Sequence, residues 1–447
     1  MVDKKDIHQQ IEDVKQRVAT VLSLAESLGT DGAEVALSKQ QGLSVGTRLG
    51  EVENVEFTND GALGITVYKN GRKGSASTAD LSEAALKKTV EAAVNIAKYT
   101  SVDDCSGLAD KDRLAFEPAS LDLYHPKALT TDQAIELALE CENQALAYDP
   151  RVTNSDGATL ASFEGFKVYG NSHGQIVGFP STRHSLSCVA IASEGEDMQR
   201  DYAYSVNRNF DLLDHGKVIG EQAAKETLSR LGAQKMATCK TPVMFRADIA
   251  NTIWGHFIAA ISGGNLYRKS SFLLDGIGKE IFPEFVTIEE RPHIHGALAS
   301  NAFDSEGVAT IERDIIKAGV LETFLLTSYS ARKLGMETTG HAGGIHNWLV
   351  SSQGGDFEAM LATLGTGLLV TELMGQGVNV VNGDYSRGAA GFWVENGKIA
   401  YPVSEITIAG NLQQMFKGIV AVGSDLDLKG SIRTGSIIID EMQVAGN

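Results

Sequence analysis

"AEVALSKQQGLSVGTRLGEVENVEFTNDGALGITVYKNGRKGSAST", residues 33 to 78, alternates apolar and polar side chains in several short runs. A period of two sends successive side chains to opposite faces of a pleated strand, so the stretch reads as β-structure with one covered face. Asp60-Gly61 and Asn70-Gly71 interrupt it. Such dipeptides supply the positive φ angles of tight hairpins, and the expectation is an antiparallel meander.

Working outward, residues 7 to 28 space Ile, Val and Leu at helical intervals and stop at Gly29. Residues 81 to 99 form another amphipathic helix, and 131 to 148 a third after a long irregular stretch. A second strand-rich run, residues 151 to 195, opens with Asp156-Gly157 as a turn and leads to a helix at about 213 to 232. The order helix, meander, helix occurs twice, which predicts a loose duplication (1–125 and 126–235) inside an N-terminal α+β region, 1–235. No fixed residue period makes it a solenoid. From 240 to 447 strands dominate, glycine is frequent and Asn396-Gly397 marks another hairpin, so a β-rich C-terminal domain follows. The fold class expected is α+β.

Composition bounds the function. The 447 residues exceed what one core usually serves, and 43% apolar with 21% charged residues suits a globular chain. Against 39 Lys+Arg stand 57 Asp+Glu, a formal charge of −18 that repels phosphate backbones and anionic lipid. No nucleic-acid role is expected. No apolar run reaches the roughly 18 residues of a membrane span, and the start "MVDKKDIHQQIEDV" lacks the apolar core of a signal peptide, so the expected location is the cytoplasm. Cys105, Cys141, Cys188 and Cys239 are scattered without C-x-x-C spacing and read as buried thiols.

Several motifs carry chemistry in principle. "GNSHG", Gly170 to Gly174, matches the nucleophile-elbow pattern, but strand-like sequence with Pro180 follows where a helix is required, so a hairpin turn is expected. "GGNLYRKSS" has no glycine directly before Lys269 and fails as a phosphate loop. His293 and His295, two apart after Pro292, would share one face of a strand, yet no cysteine or carboxylate cluster is in register with them; a loop pair is the plainer reading. His341 and His346 bracket Gly343-Gly344 before Trp348, a backbone that suits either close approach to a ligand or a tight connection.

"IANTIWGHFIAAISGGNLYRKSS", residues 249 to 271, reads as an amphipathic helix running into a Gly-Gly break. Its one imidazole is His256. Asn251, five residues earlier, is a poor zinc ligand, and Thr252 has no carboxylate to act as a base. Five residues also turn about 140° around a regular helix at roughly 100° per residue. On chemistry alone His256 reads as a packed side chain.

The stretches "GHFIAAISGGNLYRKSSFLLD", "AFDSEGV", "LLTSYSARKLG", "TGHAGGIHNW" and "TELMGQGVNVVNGDYSRGAAGFWVENGKIAYPVSEITIAGNL" closely resemble the TldD/PmbA family, historically named modulators of DNA gyrase, and most of all its PmbA (TldE) branch. The resemblance covers essentially the whole chain. It implies a two-subunit cytoplasmic protease in which TldD-type chains carry H-E-x-x-x-H and a later cysteine as a zinc site, while PmbA-type chains share the fold without the metal. Here the motif window is Asn251, Thr252 and His256, and the C-terminal "SDLDLKGSIRTGSIIIDEMQ" has no cysteine. The implied function is a subunit without its own catalytic centre or cofactor, completing a substrate chamber beside a zinc-bearing TldD-type partner. Its substrate would be extended or modified peptides, held by strand addition at a sheet edge. Without the partner, a homodimer is possible. "GHAGGIHNW" and "GDYSRGAAGFW" nominate His341, His346, Asp384, Tyr385 and Arg387 for the substrate or the subunit contact. Two alternatives stay open: a stand-alone divergent peptidase using His341 and His346, and a non-proteolytic regulator of DNA gyrase.

Overall fold

The computed structural model describes residues 6–446; the first five residues of the charged start lie outside the described part. Helix α1 (Ile7–Ser27) leads into β1 (Gly32–Arg48), β2 (Glu51–Lys69) and β3 (Arg72–Thr78), then α2 (Glu83–Ala97). The order repeats with α3 (Thr131–Tyr148), β4 (Val152–Asn171), β5 (Ile176–Glu194), β6 (Asp197–Asn207) and α4 (Gly216–Ser229). The two meanders join as one six-stranded sheet, β3-β2-β1-β4-β5-β6, in which β1 pairs antiparallel with β4 from Glu34↔Asn171 to Thr47↔Ala158.

Strand alternation explains which face is covered. Ala33, Val35 and Leu37 of β1 pack with Leu63, Ile65 and Val67 of β2 under α1 and α2. Farther along the same strand Leu43 and Val45 join Leu160, Leu186 and Cys188 under α3 and α4. On the opposite face the Tyr169 hydroxyl lies 2.9 Å from both a Glu34 carboxylate oxygen and the Glu306 carbonyl, sharing its one hydrogen between them and tying the sheet to the C-terminal chain.

Three details depart from the sequence reading. The β1–β2 strands are long, and their hairpin is closed by Leu49-Gly50, with φ 51° and 78°, rather than by Asp60-Gly61. Asp60 and Gly61 lie inside β2 opposite Gln40 and Lys39. They are tolerated there because β3 pairs only with residues 63–69, which leaves this part of β2 as an exposed edge. Asp156-Gly157 likewise sits inside β4 as a bulge: the register shifts between Ser155 and Gly157, where φ is 98°. Of the cysteines only Cys141 and Cys188 are buried; Cys105 and Cys239 are half-buried, and all four are free. By contrast, Asn70-Gly71 and Asn396-Gly397 do make tight turns with positive φ, and "GNSHG" connects β4 to β5.

The C-terminal chain contributes β7 (Cys239–Phe245), helix α5 (Ala247–Ile261), and the short strands β8 (Ile288–Glu290), β9 (Arg313–Lys317), β10 (Val320–Leu321) and β11 (Trp348–Val350). There follow β12 (Gly367–Met374), β13 (Val378–Asn379), β14 (Asp384–Glu395), β15 (Lys398–Asn411), β16 (Ile419–Val422), β17 (Ile432–Arg433) and β18 (Ile437–Ala445). One sheet runs β12-β7-β18-β15-β14, and a further β12–β14 pairing closes it into a ring. A second is ordered β10-β9-β8-β11-β17. Helix α5 buries Ala250, Ile253, Trp254, Phe257, Ala260 and Ile261 in the C-terminal core, and the Trp254 indole N–H donates to Thr434 Oγ1 at 2.9 Å. The helix stops at Ser262, whose backbone is extended, with Gly263-Gly264 opening the next helical turn. Among the described residues no helix is long and apolar enough to cross a membrane.

Candidate functional site

The buried face of α5 leaves a half-exposed stripe made by Asn251, Thr252, Gly255 and His256. The Thr252 hydroxyl donates back to the Ile249 carbonyl at 2.7 Å, spending itself inside the helix. A Cβ on Gly255 would meet nothing within 4 Å, so the stripe faces open space. Against it stands β14. The rings of His256 and Tyr385 meet edge to face, 5.8 Å between centroids, and Arg387 lies two residues farther along the strand, on the same face as Tyr385. Burial, and then the Arg387 charge, push His256 down to about 4, while burial pushes the Tyr385 hydroxyl up. His256 Nε2, Tyr385 Oη and Arg387 Nε are buried without a hydrogen-bond partner among the described residues. Asp384 is apart from this trio, exposed at the start of β14 and accepting from Asn382 Nδ2 at 2.7 Å.

These groups suit zinc poorly. An amide, a self-bonded hydroxyl and one imidazole beside a guanidinium do not make a cation site, and among the described residues no three His, Cys, Asp or Glu side chains converge on a point.

His341 and His346 lie in a separate network. Glu290, 1% exposed, accepts from His341 Nε2 at 2.9 Å, from the His346 backbone N–H at 2.9 Å and from the Trp348 indole at 3.3 Å. His346 Nε2 donates to the Gly340 carbonyl at 3.2 Å, and Thr339 Oγ1 meets His341 Nδ1 at 2.8 Å. Both rings are buried, joining the 340–348 loop to β8. His293 stands in a loop with Nε2 3.0 Å from Thr310 Oγ1.

A groove of about 870 Å³ runs along β6. That strand ends the six-stranded sheet and, among the described residues, pairs only with β5, so its outer edge presents unpaired backbone groups. Arg200 to Asn207 form one wall, and α4, residues 246–249, residues 371–373 and residues 425–429 the others. Tyr202 and Tyr204 stack at 6.1 Å, and Arg230 bridges Asp201 and Glu372 across the floor. Residues 247–249 are the first turn of α5. His256 lies seven residues beyond Ile249, about 10 Å farther along the axis. Sequence reasoning passed over β6 because strand order, which makes it an edge, is tertiary information.

Three family models match in succession: the PmbA/TldA metallopeptidase domain 1 at residues 33–97, its central domain at 124–231 and its C-terminal domain at 238–446. The chain belongs to the PmbA/TldD family. Metalloprotease PmbA of Escherichia coli O157:H7 is 56% identical over 98% of both chains. Haemophilus influenzae has both a metalloprotease PmbA homologue, 55% identical over 98% of this chain and 97% of its own, and a metalloprotease TldD homologue, 22% identical over 92% and 90%. A Bacteroides thetaiotaomicron crystal structure described as a putative modulator of DNA gyrase superposes with a TM-score of 0.92 at 29% identity, covering 97% of this chain and 99% of that one. Within the PmbA/TldD family this chain aligns far more closely with the PmbA relatives than with the TldD relative.

Proposed function

We propose that this chain is the non-metal-binding subunit of a two-subunit, TldD/TldE-type cytoplasmic metalloprotease, and that it holds an extended or modified peptide substrate while a TldD-type partner supplies zinc. The observation that carries the reading is the open β6 edge facing a groove that reaches the first turn of α5. A strand added there is recognised through its backbone, which demands extension and little sequence. The occurrence of a PmbA and a TldD relative in one Haemophilus strain supports a paired arrangement. Burial of His341 and His346 against Glu290 weighs against a stand-alone peptidase built on them.

The test mixes the purified chain with a paralogue bearing intact H-E-x-x-x-H and assays an unstructured peptide. Cleavage is expected only in the mixture, with chelator abolishing it. N-methylating alternate backbone nitrogens of the peptide should weaken cleavage about 2- to 10-fold per lost hydrogen bond in one register and little in the other. Cleavage by the partner alone at the rate of the mixture would defeat the proposal.

A further inference from the structure

We infer that Tyr385, Arg387 and His256 form a receptor for a carboxylate, presented either by the C-terminus of an extended peptide or by an acidic side chain. The inference deepens the peptide-holding role and rests on it for the identity of the ligand, but not for the existence of the site.

Three observations converge. Tyr385 is 2% exposed, yet its hydroxyl has no hydrogen-bond partner among the described residues, and Arg387 Nε and His256 Nε2 are in the same condition. A buried polar group left unpaired is costly, so such a set persists where a ligand completes it. Next, Arg387 takes part in no ion pair among the described residues, although the chain carries 57 acidic groups. Arg230 and Arg246, half-buried like Arg387, both face carboxylates. Finally, the space beside Gly255 is open.

The donor chemistry selects the ligand. Arginine has donors and no acceptor, the tyrosine hydroxyl donates, and imidazole kept neutral offers one further N–H. A positive charge with convergent donors repels metal ions and favours an anion. The planar guanidinium matches the two oxygens of a carboxylate, and the phenol adds a hydrogen bond to one of them.

The experiment uses the isolated chain with 13C-labelled histidine, the His256 resonance being assigned by its loss in His256→Gln. The probes are sodium acetate, N-acetylated tetra-alanine with a free C-terminus, the same peptide as its amide, an N-acetylated Ala-Ala-Asp-Ala amide, and sodium chloride. Acetate should shift the His256 signal saturably, while the neutral amide and chloride should not. Response to the free-acid peptide assigns the site to a C-terminus, and response to the aspartyl amide assigns it to a side chain. Arg387→Gln should weaken binding about tenfold or more, and Tyr385→Phe, which removes one oxygen atom and preserves packing, about three- to tenfold. Absence of a saturable shift with every carboxylate, equal response to chloride, or undiminished binding in Arg387→Gln would overturn the assignment. Because neither a partner nor cleavage enters the measurement, its failure leaves the subunit reading standing, and failure of the cleavage assay leaves the carboxylate site standing.

Discussion

Tyr385 shows a conflict between stability and function at a single atom. Its ring packs in the C-terminal core, but its hydroxyl is buried and unpartnered. Tyr385→Phe should therefore raise the stability of the free chain by about 1 kcal/mol while weakening peptide holding, checked by urea denaturation beside the cleavage assay. Glu290 is the opposite case, a buried carboxylate saturated by donors. Glu290→Ala should cost about 3–5 kcal/mol by stranding His341 and Arg313. Protonation acts on the same groups. Burial holds His346 down, and burial with the Arg387 charge holds His256 to about 4, so the unfolded chain takes up those protons first, near pH 6.5. At these two rings the unfolded state then binds more protons, so their own contribution to stability falls as pH drops below about 6.5, opposed by Asp304, which burial raises to about 7 and which the folded chain therefore protonates first. Glu290, which burial pushes up but His341 and His346 pull below its usual value, adds a further loss once pH falls below about 4.3. Between pH 7 and 5 the urea midpoint of His256→Gln should fall less on acidification than that of the unaltered chain; an equal change in both would contradict the burial of this ring.

Two helical glycines with opposite surroundings give opposed expectations. Gly255 in α5 faces open space, so Gly255→Ala should stabilise by roughly 0.5–1 kcal/mol through helix propensity alone. Gly220 in α4 lies against α3, where a Cβ would fall 2.1 Å from the Cys141 carbonyl oxygen; Gly220→Ala should cost about 1–3 kcal/mol as the helices part. Thermal denaturation of both variants checks the pair. Elements were the scale most legible in the sequence. The helical period placed α1 to α5 to within a few residues, because each buries one stripe against a sheet or core. Turns were legible only where local chemistry decided them. Asn70-Gly71 closes a hairpin, whereas Asp60-Gly61 stays extended because the register of β1 with β2 runs past it to Leu49-Gly50. The site was less legible still: His256 and Tyr385 meet across 129 positions of sequence, and Glu290 lies 51 residues before His341. No local period reports such meetings; only the resemblance marked out α5, and it said nothing of Arg387 beside His256.

On the scale of the whole molecule, restoring the motif should not restore a protease. Asn251→His with Thr252→Glu returns two groups to α5, but no cysteine stands ready as the third ligand and Arg387 keeps its charge beside His256. The double variant should remain inactive alone and bind less than stoichiometric zinc by elemental analysis. Chelator-sensitive turnover by that variant alone would show that the cysteine is dispensable.

The joint between β1 and β4 also bears on how the chain is made. Residues 34–47 must wait for residues 158–171 before that side of the sheet is closed. At a synthesis rate of roughly 5–20 residues per second, the interval is on the order of 6–24 s. During it the nascent first meander carries a bare fourteen-residue ladder, able to pair with any passing strand. A chain arrested on the ribosome near residue 125 should bind a holdase chaperone and be nicked by protease within β1. One arrested after the helix that ends at Ser229 has cleared the exit tunnel should be protected from both.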